Sequence, residues 1–159
     1  MHPPLTDLQL TGRLLLAAAL GGALGLEREF RQKSAGLRTN ILIAVGSALF
    51  TMMSFHLAAA SGADPTRIAA QIVTGIGFFG AGAIMRTGSG VHGMTTAATI
   101  WVNAAVAVAV GGGEYRLAII ATVVTILALL ALHPLEVAID KRIAARRGNG
   151  NGSDFSTDA

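Results

Sequence analysis

The sequence predicts an all-α protein, an integral membrane bundle of about five transmembrane helices. Three observations favour this class over a soluble domain. Five long apolar stretches follow one another along 159 residues, 52% of the residues are hydrophobic, and only 13% are Asp, Glu, Lys or Arg. That charged share is about half of the usual value for a globular domain. Because a soluble fold needs charge to cover its surface, so little charge indicates a surface that faces lipid.

The first apolar stretch, residues 5–26, contains an apolar core at residues 14–26 that is similar to the core of a secretory signal peptide. Only Arg13 precedes the core, however, and four basic residues follow it: Arg28, Arg31, Lys33 and Arg38. Positive charge after a segment favours the cytoplasm for that side, the reverse of the order in a signal peptide. We therefore expect a first spanning helix that is retained.

The later apolar stretches cover residues 37–60, 64–85, 95–110 and 115–132. In the third, Asp64 suits the N-cap and Pro65 the first helical position. The fourth is short, because a span needs about 20 residues at about 1.5 Å each to cross about 30 Å of hydrocarbon. After the fifth, His133-Pro134 predicts a kink.

The apolar stretches together predict one transmembrane domain, residues 1–134. After it, apolar residues recur at every fourth position, as at Leu135 and Ile139, and basic residues lie largely elsewhere on the wheel. This pattern predicts an amphipathic cytoplasmic segment over residues 135–147. Residues 148–159 are too small and polar to build a core, and we expect a disordered tail.

The basic residues also predict the orientation of the chain. Three of them, Arg13, Arg67 and Arg116, fall on one side of the predicted spans. Nine fall on the other: Arg28, Arg31, Lys33, Arg38, Arg86, Lys141, Arg142, Arg146 and Arg147. Because cytoplasmic loops carry the excess of Lys and Arg, the N-terminus is expected outside and the C-terminus in the cytoplasm. Clusters spread between apolar runs do not form a phosphate-binding patch, so no nucleic acid partner is expected despite a pI near 10.2.

Residues 75–80 match the dinucleotide-binding fingerprint GxGxxG. That motif binds pyrophosphate only where it joins a strand to a helix, and here it lies inside an apolar span. Small residues allow helices to approach closely in lipid, so the same glycines predict helix packing. The predicted packing positions are Gly21, Gly25, Gly75, Gly77, Gly80 and Gly82. A third helix broken by its glycines is the open alternative.

Polar side chains within or beside the spans are the candidate functional residues. They are Glu27, Arg28, Glu29, Arg38, Gln71, Arg86 and Asn103. Glu27 either pairs with Arg31 at i+4 on a solvated helix end, or faces the bundle to bind a cation or an arginine such as Arg38 or Arg86. The two amides either fasten the bundle by hydrogen bonds or mark a functional site.

The same sequence lacks the residue patterns of catalysis. It contains no Cys, which excludes disulfides and thiolate metal sites, and its four His lack ligand spacing. No Walker motif and no nucleophile–base arrangement is present. We therefore expect neither an enzyme nor a cofactor, and no metal ligand set can be assigned.

Four motifs in order resemble the MgtC/SapB family of bacterial inner-membrane proteins, over about residues 10–132. They are GLERE at 25–29, AGLRT at 35–39, RIAAQ at 67–71 followed by GIGFFGAG at 75–82, and GMTTAATIW at 93–101. Longer members of that family carry a folded cytoplasmic C-terminal domain, where this chain has the short segment and tail.

The resemblance implies a plasma-membrane protein tied to magnesium limitation and, in some bacteria, to survival inside host cells. It also implies a regulator of other membrane proteins, including the proton-translocating ATP synthase. The first hypothesis is thus a non-enzymatic protein that regulates another membrane complex, such as an ATP synthase or a transporter. The alternative is a small oligomeric transporter or channel for Mg²⁺ or another ion. Besides the lipid bilayer, a second copy in a homodimer is a further expected partner.

Overall fold

The computed structural model describes the backbone of residues 6–87 and 90–150. In these residues the chain is helical apart from one short hairpin, which confirms the all-α class. The elements are α1 (Asp7–Phe30), α2 (Leu37–Ser61), α3 (Arg67–Ala83), β1 (Met85–Thr87), β2 (Gly90–His92), α4 (Met94–Gly112) and α5 (Tyr115–Gly150). The chain divides into two compact units between residues 125 and 126, and the contacts described below belong to the first unit.

Helix ends are set by local capping residues. Thr6 and Gln9 form a capping box before α1, in which Thr6 Oγ1 accepts from the Gln9 amide and Gln9 Oε1 accepts from the Thr6 amide. Gly62 after α2 and Gly113 after α4 adopt left-handed φ values of 70° and 92°, which favour glycine. Because α1 continues to Phe30, four residues beyond the predicted end, the first charged residues of the loop are part of the helix.

Four helices in the described residues are long and apolar enough to cross a membrane. They are Asp7–Phe30, Leu37–Ser61, Met94–Gly112 and Tyr115–Leu132. Helix α3, with 17 residues and a rise of about 25 Å, is shorter than these four helices.

Helix α3 is continuous from Arg67 to Ala83, so the alternative of a third helix broken by its glycines is wrong. It returns from the end of α2 to the start of α4, where the Gly93 backbone lies against the Ala83 carbonyl.

The α3 N-terminus differs in detail from the prediction. Thr66, rather than Asp64, occupies the N-cap position, and Arg67 is the first helical residue. Asp64 Oδ1 instead accepts hydrogen bonds from the Thr66 amide at 2.8 Å and the Thr66 hydroxyl at 2.7 Å. These bonds, the backbone one first, hold the pKa of Asp64 below its ordinary value.

The core of the first unit consists mainly of small residues. Helix α1 packs on α2 and α4, α2 packs on α4, and α3 packs on α4 and α2. One buried cluster contains Ala17, Ala44, Ala48, Val106, Ala107, Val110 and Ala118, and a second contains Ile76, Ile100 and Ala104. Alanine at so many contact positions brings the helix axes close together, as is typical of membrane bundles.

Two features of the chain were not predicted. Residues 85–87 and 90–92 pair as an antiparallel hairpin, with Arg86 opposite Val91, where only the end of an apolar stretch was expected. Helix α5 continues through His133-Pro134 to Gly150, past the predicted kink and into the first residues of the predicted tail. The remaining part of that tail, residues 151–159, lies outside the described residues.

Candidate functional site

Polar side chains from α1, α2 and α4 are buried together toward the end of the bundle where α1 ends and α4 begins. We call this set the polar seam: Glu27, Arg28, Asn40, Thr96, Thr99 and Asn103. Each of these residues is less than a tenth exposed. Burying so many polar groups is costly unless they find partners, so their contacts decide what the seam does.

Glu27 forms two ion pairs, one with Arg28 of its own helix and one with Arg31, the C-cap residue of α1. Its Oε1 lies 2.5 Å from Arg31 Nε and its Oε2 lies 3.5 Å from Arg28 Nη1. The i+4 pair with Arg31 was predicted, but the Glu27 side chain is only 7% exposed and does not lie on a solvated helix end. Arg38 and Arg86, the other expected partners, have exposed side chains. Those two pairings are therefore wrong, because Arg28 near the end of α1 and Arg31 at its C-cap supply the counter-charges.

Arg28 joins α1 to α4. Its Nη2 donates a hydrogen bond of 3.4 Å to Thr96 Oγ1, and its side chain is 4% exposed. Two polar atoms at this end are buried without a hydrogen bond, Arg28 Nε and Glu27 Oε1, although the latter keeps its ion pair. Two arginines thus face one carboxylate, Arg28 as a buried side chain and Arg31 as one that is 25% exposed.

Asn103 and Asn40 form the other half of the seam. Asn103 Nδ2 donates to the Asn40 carbonyl at 2.8 Å and to Asn40 Oδ1 at 3.0 Å. Asn40 Nδ2 in turn donates to the Gly36 and Ala35 carbonyls before α2. The interpretation of Asn103 as an interhelical fastener is supported. Asn40 was missed, and its signal was an amide side chain at the start of an otherwise apolar helix.

Glycines bring the seam helices into backbone contact. A Cβ atom at Gly21 would lie 2.6 Å from Ala44 Cβ, and one at Gly25 would lie 2.7 Å from Leu37 Cα. Both positions were predicted to pack. Gly111, which was not singled out, has the same role in α4, since its Cβ would lie 2.7 Å from Thr51 Cβ.

The glycines of α3 behave differently. A Cβ atom at Gly75, Gly77 or Gly82 would meet nothing within 4 Å, and one at Gly80 would make an ordinary contact of 3.7 Å with Ala97. The predicted packing role is therefore wrong for the first three within this chain. Gln71, the polar residue of the same helix, is exposed rather than bonded to a neighbouring helix.

Glu29 and Arg13 are structural residues in this arrangement. Glu29 Oε2 accepts a hydrogen bond of 3.1 Å from the Leu37 amide and so caps α2. Arg13 was missed, at the opposite end of the bundle. Its Nη1 donates to the Gly111 carbonyl and its Nε donates to the Tyr115 hydroxyl at 3.0 Å, which caps the C-terminus of α4.

The hydrogen bonds of the seam fasten α4 to α1 and to α2. No group of three or more His, Asp or Glu side chains in the described residues is placed to hold a metal ion. Glu27, the carboxylate of the seam, is already neutralised by two arginines. A cation would have to displace them at a large electrostatic cost.

Comparisons with known proteins find one family. The sequence model of the MgtC family matches residues 14–138. The chain is 50% identical over 129 residues to an Escherichia coli K12 protein named "Putative magnesium transporter YhiD", covering 77% of this chain and 60% of that protein. It is 49% identical over 132 residues to Protein MgtC of Brucella abortus, covering 83% and 54%. It thus spans little more than half the length of these curated relatives. No solved structure matches significantly.

Proposed function

The chain belongs to the MgtC family, and from this membership we propose that it regulates another membrane protein complex in magnesium homeostasis. It does so as a non-enzymatic protein of the bacterial inner membrane. The four long apolar helices support the membrane location. The names of relatives support the link to magnesium, since one of them is called a magnesium transporter.

The closely packed interior favours regulation over transport by a single chain. Backbone contacts at Gly21, Gly25 and Gly111 fill the volume between α1, α2 and α4. The carboxylate of Glu27 is held by two arginines and is not free to bind a cation. An ion path between these helices would require them to separate.

The observation that carries the proposal is an exposed face of small residues on α3. Ala70, Gly77 and Ala81 recur at i, i+7 and i+11 and are exposed, and a Cβ atom at Gly77 would meet nothing outside its own helix within 4 Å. Small residues are what membrane helices use to pack against one another, because close approach gains dispersion energy that lipid does not supply. We infer that α3 contacts a helix of the regulated complex, such as an ATP synthase or a transporter.

Recovery of bound membrane proteins tests this proposal. Tagged chain is crosslinked in native membranes, purified, and its partners are identified by mass spectrometry. Gly77→Leu should remove the partner and abolish growth in low Mg²⁺ in a strain lacking the protein, at normal abundance of the chain. Gly46→Leu is the matched control, because a side chain at Gly46 of α2 also meets nothing within 4 Å. Full activity of Gly77→Leu would contradict the proposal, and a crosslinked species of twice the chain mass would identify a homodimer instead.

We also propose that the N-terminus lies outside and the C-terminus in the cytoplasm. The nine-to-three bias of Lys and Arg supports this orientation. Because the chain has no Cys, single cysteines at Ser34, Ser61 and Gly112 can be probed on intact cells with a membrane-impermeant thiol reagent. Labelling is expected at Ser61 and Gly112. Labelling at Ser34 would show that the chain has the opposite orientation.

A small oligomeric transporter or channel is the second candidate function, favoured by the name of the E. coli relative. Five helices of this length enclose a path only by association of several copies. Purified chain in liposomes that carries Mg²⁺ across the bilayer, with no other protein present, would establish this function. Absence of flux beside recovery of a partner complex would favour regulation.

A further inference from the structure

A polar cleft lies between the end of α2 and the start of α3, apart from the polar seam. Its volume is about 390 Å³, within the range of small-ligand sites. Ser61, Asp64, Arg67 and Gln71 provide its polar walls, and Leu57 and Ile68 are among its apolar lining residues. No function described above uses this cleft.

The cleft is held in shape by hydrogen bonds across its base. Ser54 of α2 donates from its hydroxyl to the Pro65 carbonyl at 2.6 Å and accepts from the Ile68 amide at 3.2 Å. Asp64 accepts from the Thr66 amide and hydroxyl. The connection between the helices is therefore tied to α2 by the two bonds of Ser54 and braced internally by Asp64, so a ligand would meet preformed walls.

The two charges of the cleft are available to a ligand. Asp64 and Arg67 are both exposed, and neither takes part in an ion pair in the part of the chain that the structure describes. Gln71, one helical turn after Arg67, adds an amide on the same side. One anionic and one cationic group side by side complement a ligand that carries both charges.

The position of the cleft indicates that the ligand with both charges is a membrane lipid. Ser61 ends the candidate span α2, and Arg67 begins α3, so the cleft is expected at the depth of the lipid head groups. Along α3 from the cleft, Ile72, Gly75 and Phe79 follow one face, and a Cβ atom at Gly75 would meet nothing outside its own helix within 4 Å. A gap between larger side chains along a helix is a groove that suits an acyl chain.

We propose that this cleft binds phosphatidylethanolamine. The lipid phosphate lies against Arg67 and Gln71, its primary ammonium donates to Asp64, and an acyl chain follows the α3 groove at Gly75. Phosphatidylcholine has no N–H to donate to Asp64, and phosphatidylglycerol has no cationic group. The cleft therefore distinguishes phosphatidylethanolamine from both.

Native mass spectrometry of the purified full chain tests the proposal. The chain is incubated with equal amounts of the three lipids, all with identical acyl chains. Phosphatidylethanolamine should be retained about fivefold over phosphatidylcholine, which corresponds to one exposed charge interaction. Asp64→Asn should remove this preference while it still accepts the Thr66 bonds. Arg67→Gln should lower the retention of all three lipids.

Matched controls and a soluble competitor complete the experiment. Glu114→Gln and Arg116→Gln change one carboxylate and one guanidinium that are exposed at the turn between α4 and α5, and should leave retention unchanged. Soluble glycerophosphoethanolamine at the same concentration should not displace the lipid, since it lacks the acyl chain. Displacement by it, equal retention of the lipids, or an unchanged preference in folded Asp64→Asn would each overturn the proposal. This assay contains no partner complex, so its outcome is independent of the proposed regulation.

Discussion

In α1, Gly21 and Gly25 lie against the backbone and side chains of α2, whereas in α3, Gly75 and Gly77 face no other part of the chain. Each of the two helices contains four glycines and four alanines. The difference shows that a glycine face forms a close contact only where a second helix packs against it. In α1 the contact is completed within the chain and stabilises the fold, while in α3 it is left for another molecule or for lipid.

The amide side chains show the same contrast. Asn103 of α4 is fully buried and donates two hydrogen bonds to Asn40. Gln71 of α3 is exposed beside a cleft. We therefore expect stability to reside mainly in α1, α2 and α4, and binding to reside on α3.

The largest expected effect is that of a bulky residue on the two glycine faces. Gly21→Leu should cost at least about 3 kcal/mol of stability, because even its Cβ would lie 2.6 Å from Ala44 and 2.8 Å from the Asn40 carbonyl. Gly77→Leu should leave the thermal unfolding temperature in detergent unchanged, since a Cβ atom at this position would meet nothing outside its own helix within 4 Å. Gly21→Ala serves as the milder variant if the first does not fold. Equal melting temperatures for Gly21→Ala and Gly77→Leu would break the comparison.

Glu27 and Glu29 offer a second comparison, at the end of α1. Glu27→Gln leaves the buried Arg28 without its counter-charge and removes the partner of the partly exposed Arg31, and should cost about 3 kcal/mol and impair growth in low Mg²⁺. Glu29→Gln keeps an oxygen that accepts from the Leu37 amide, so the loss should stay below about 1 kcal/mol. Membrane abundance is checked by blotting. Equal activity and stability of the two variants would instead support the interpretation of Glu27 as a residue of a solvated helix end.

The two amides should differ by a smaller amount. Asn103→Ala leaves the carbonyl and side-chain oxygen of Asn40 without their donor, at a cost of about 1–2 kcal/mol. Gln71→Ala removes no bond within the chain and should change stability by less than about 0.5 kcal/mol. Chemical unfolding of both variants in the same detergent measures the difference. A larger loss for Gln71→Ala would mean that α3 also packs within the chain.

The smallest effect is expected at the start of α3. The hydrogen bonds from Thr66 lower the pKa of Asp64, so its contribution to stability is present above the ordinary value of 3.8 and is lost as the pH falls through the lowered pKa. The unfolding temperature of the chain should therefore exceed that of Asp64→Ala at neutral pH, and the gap should close in acid. If the difference in unfolding temperature persists below the lowered pKa, the contribution of Asp64 to stability comes from packing rather than from its charge.

The amino-acid sequence by itself determined the membrane class, the order of the helices, the family, and the polar residues that matter in the seam, Glu27, Arg28 and Asn103. These follow from composition, local hydropathy and motif order, which each segment carries independently of its neighbours. Only the tertiary structure decided that the α1 glycines are packed and the α3 glycines are exposed. It also decided that Glu27 pairs with Arg28 and Arg31, and it revealed Asn40, Gly111 and Arg13. Those properties depend on which helix packs against a given face and on its axial position along that face. The residue pattern of a single helix carries no information on either.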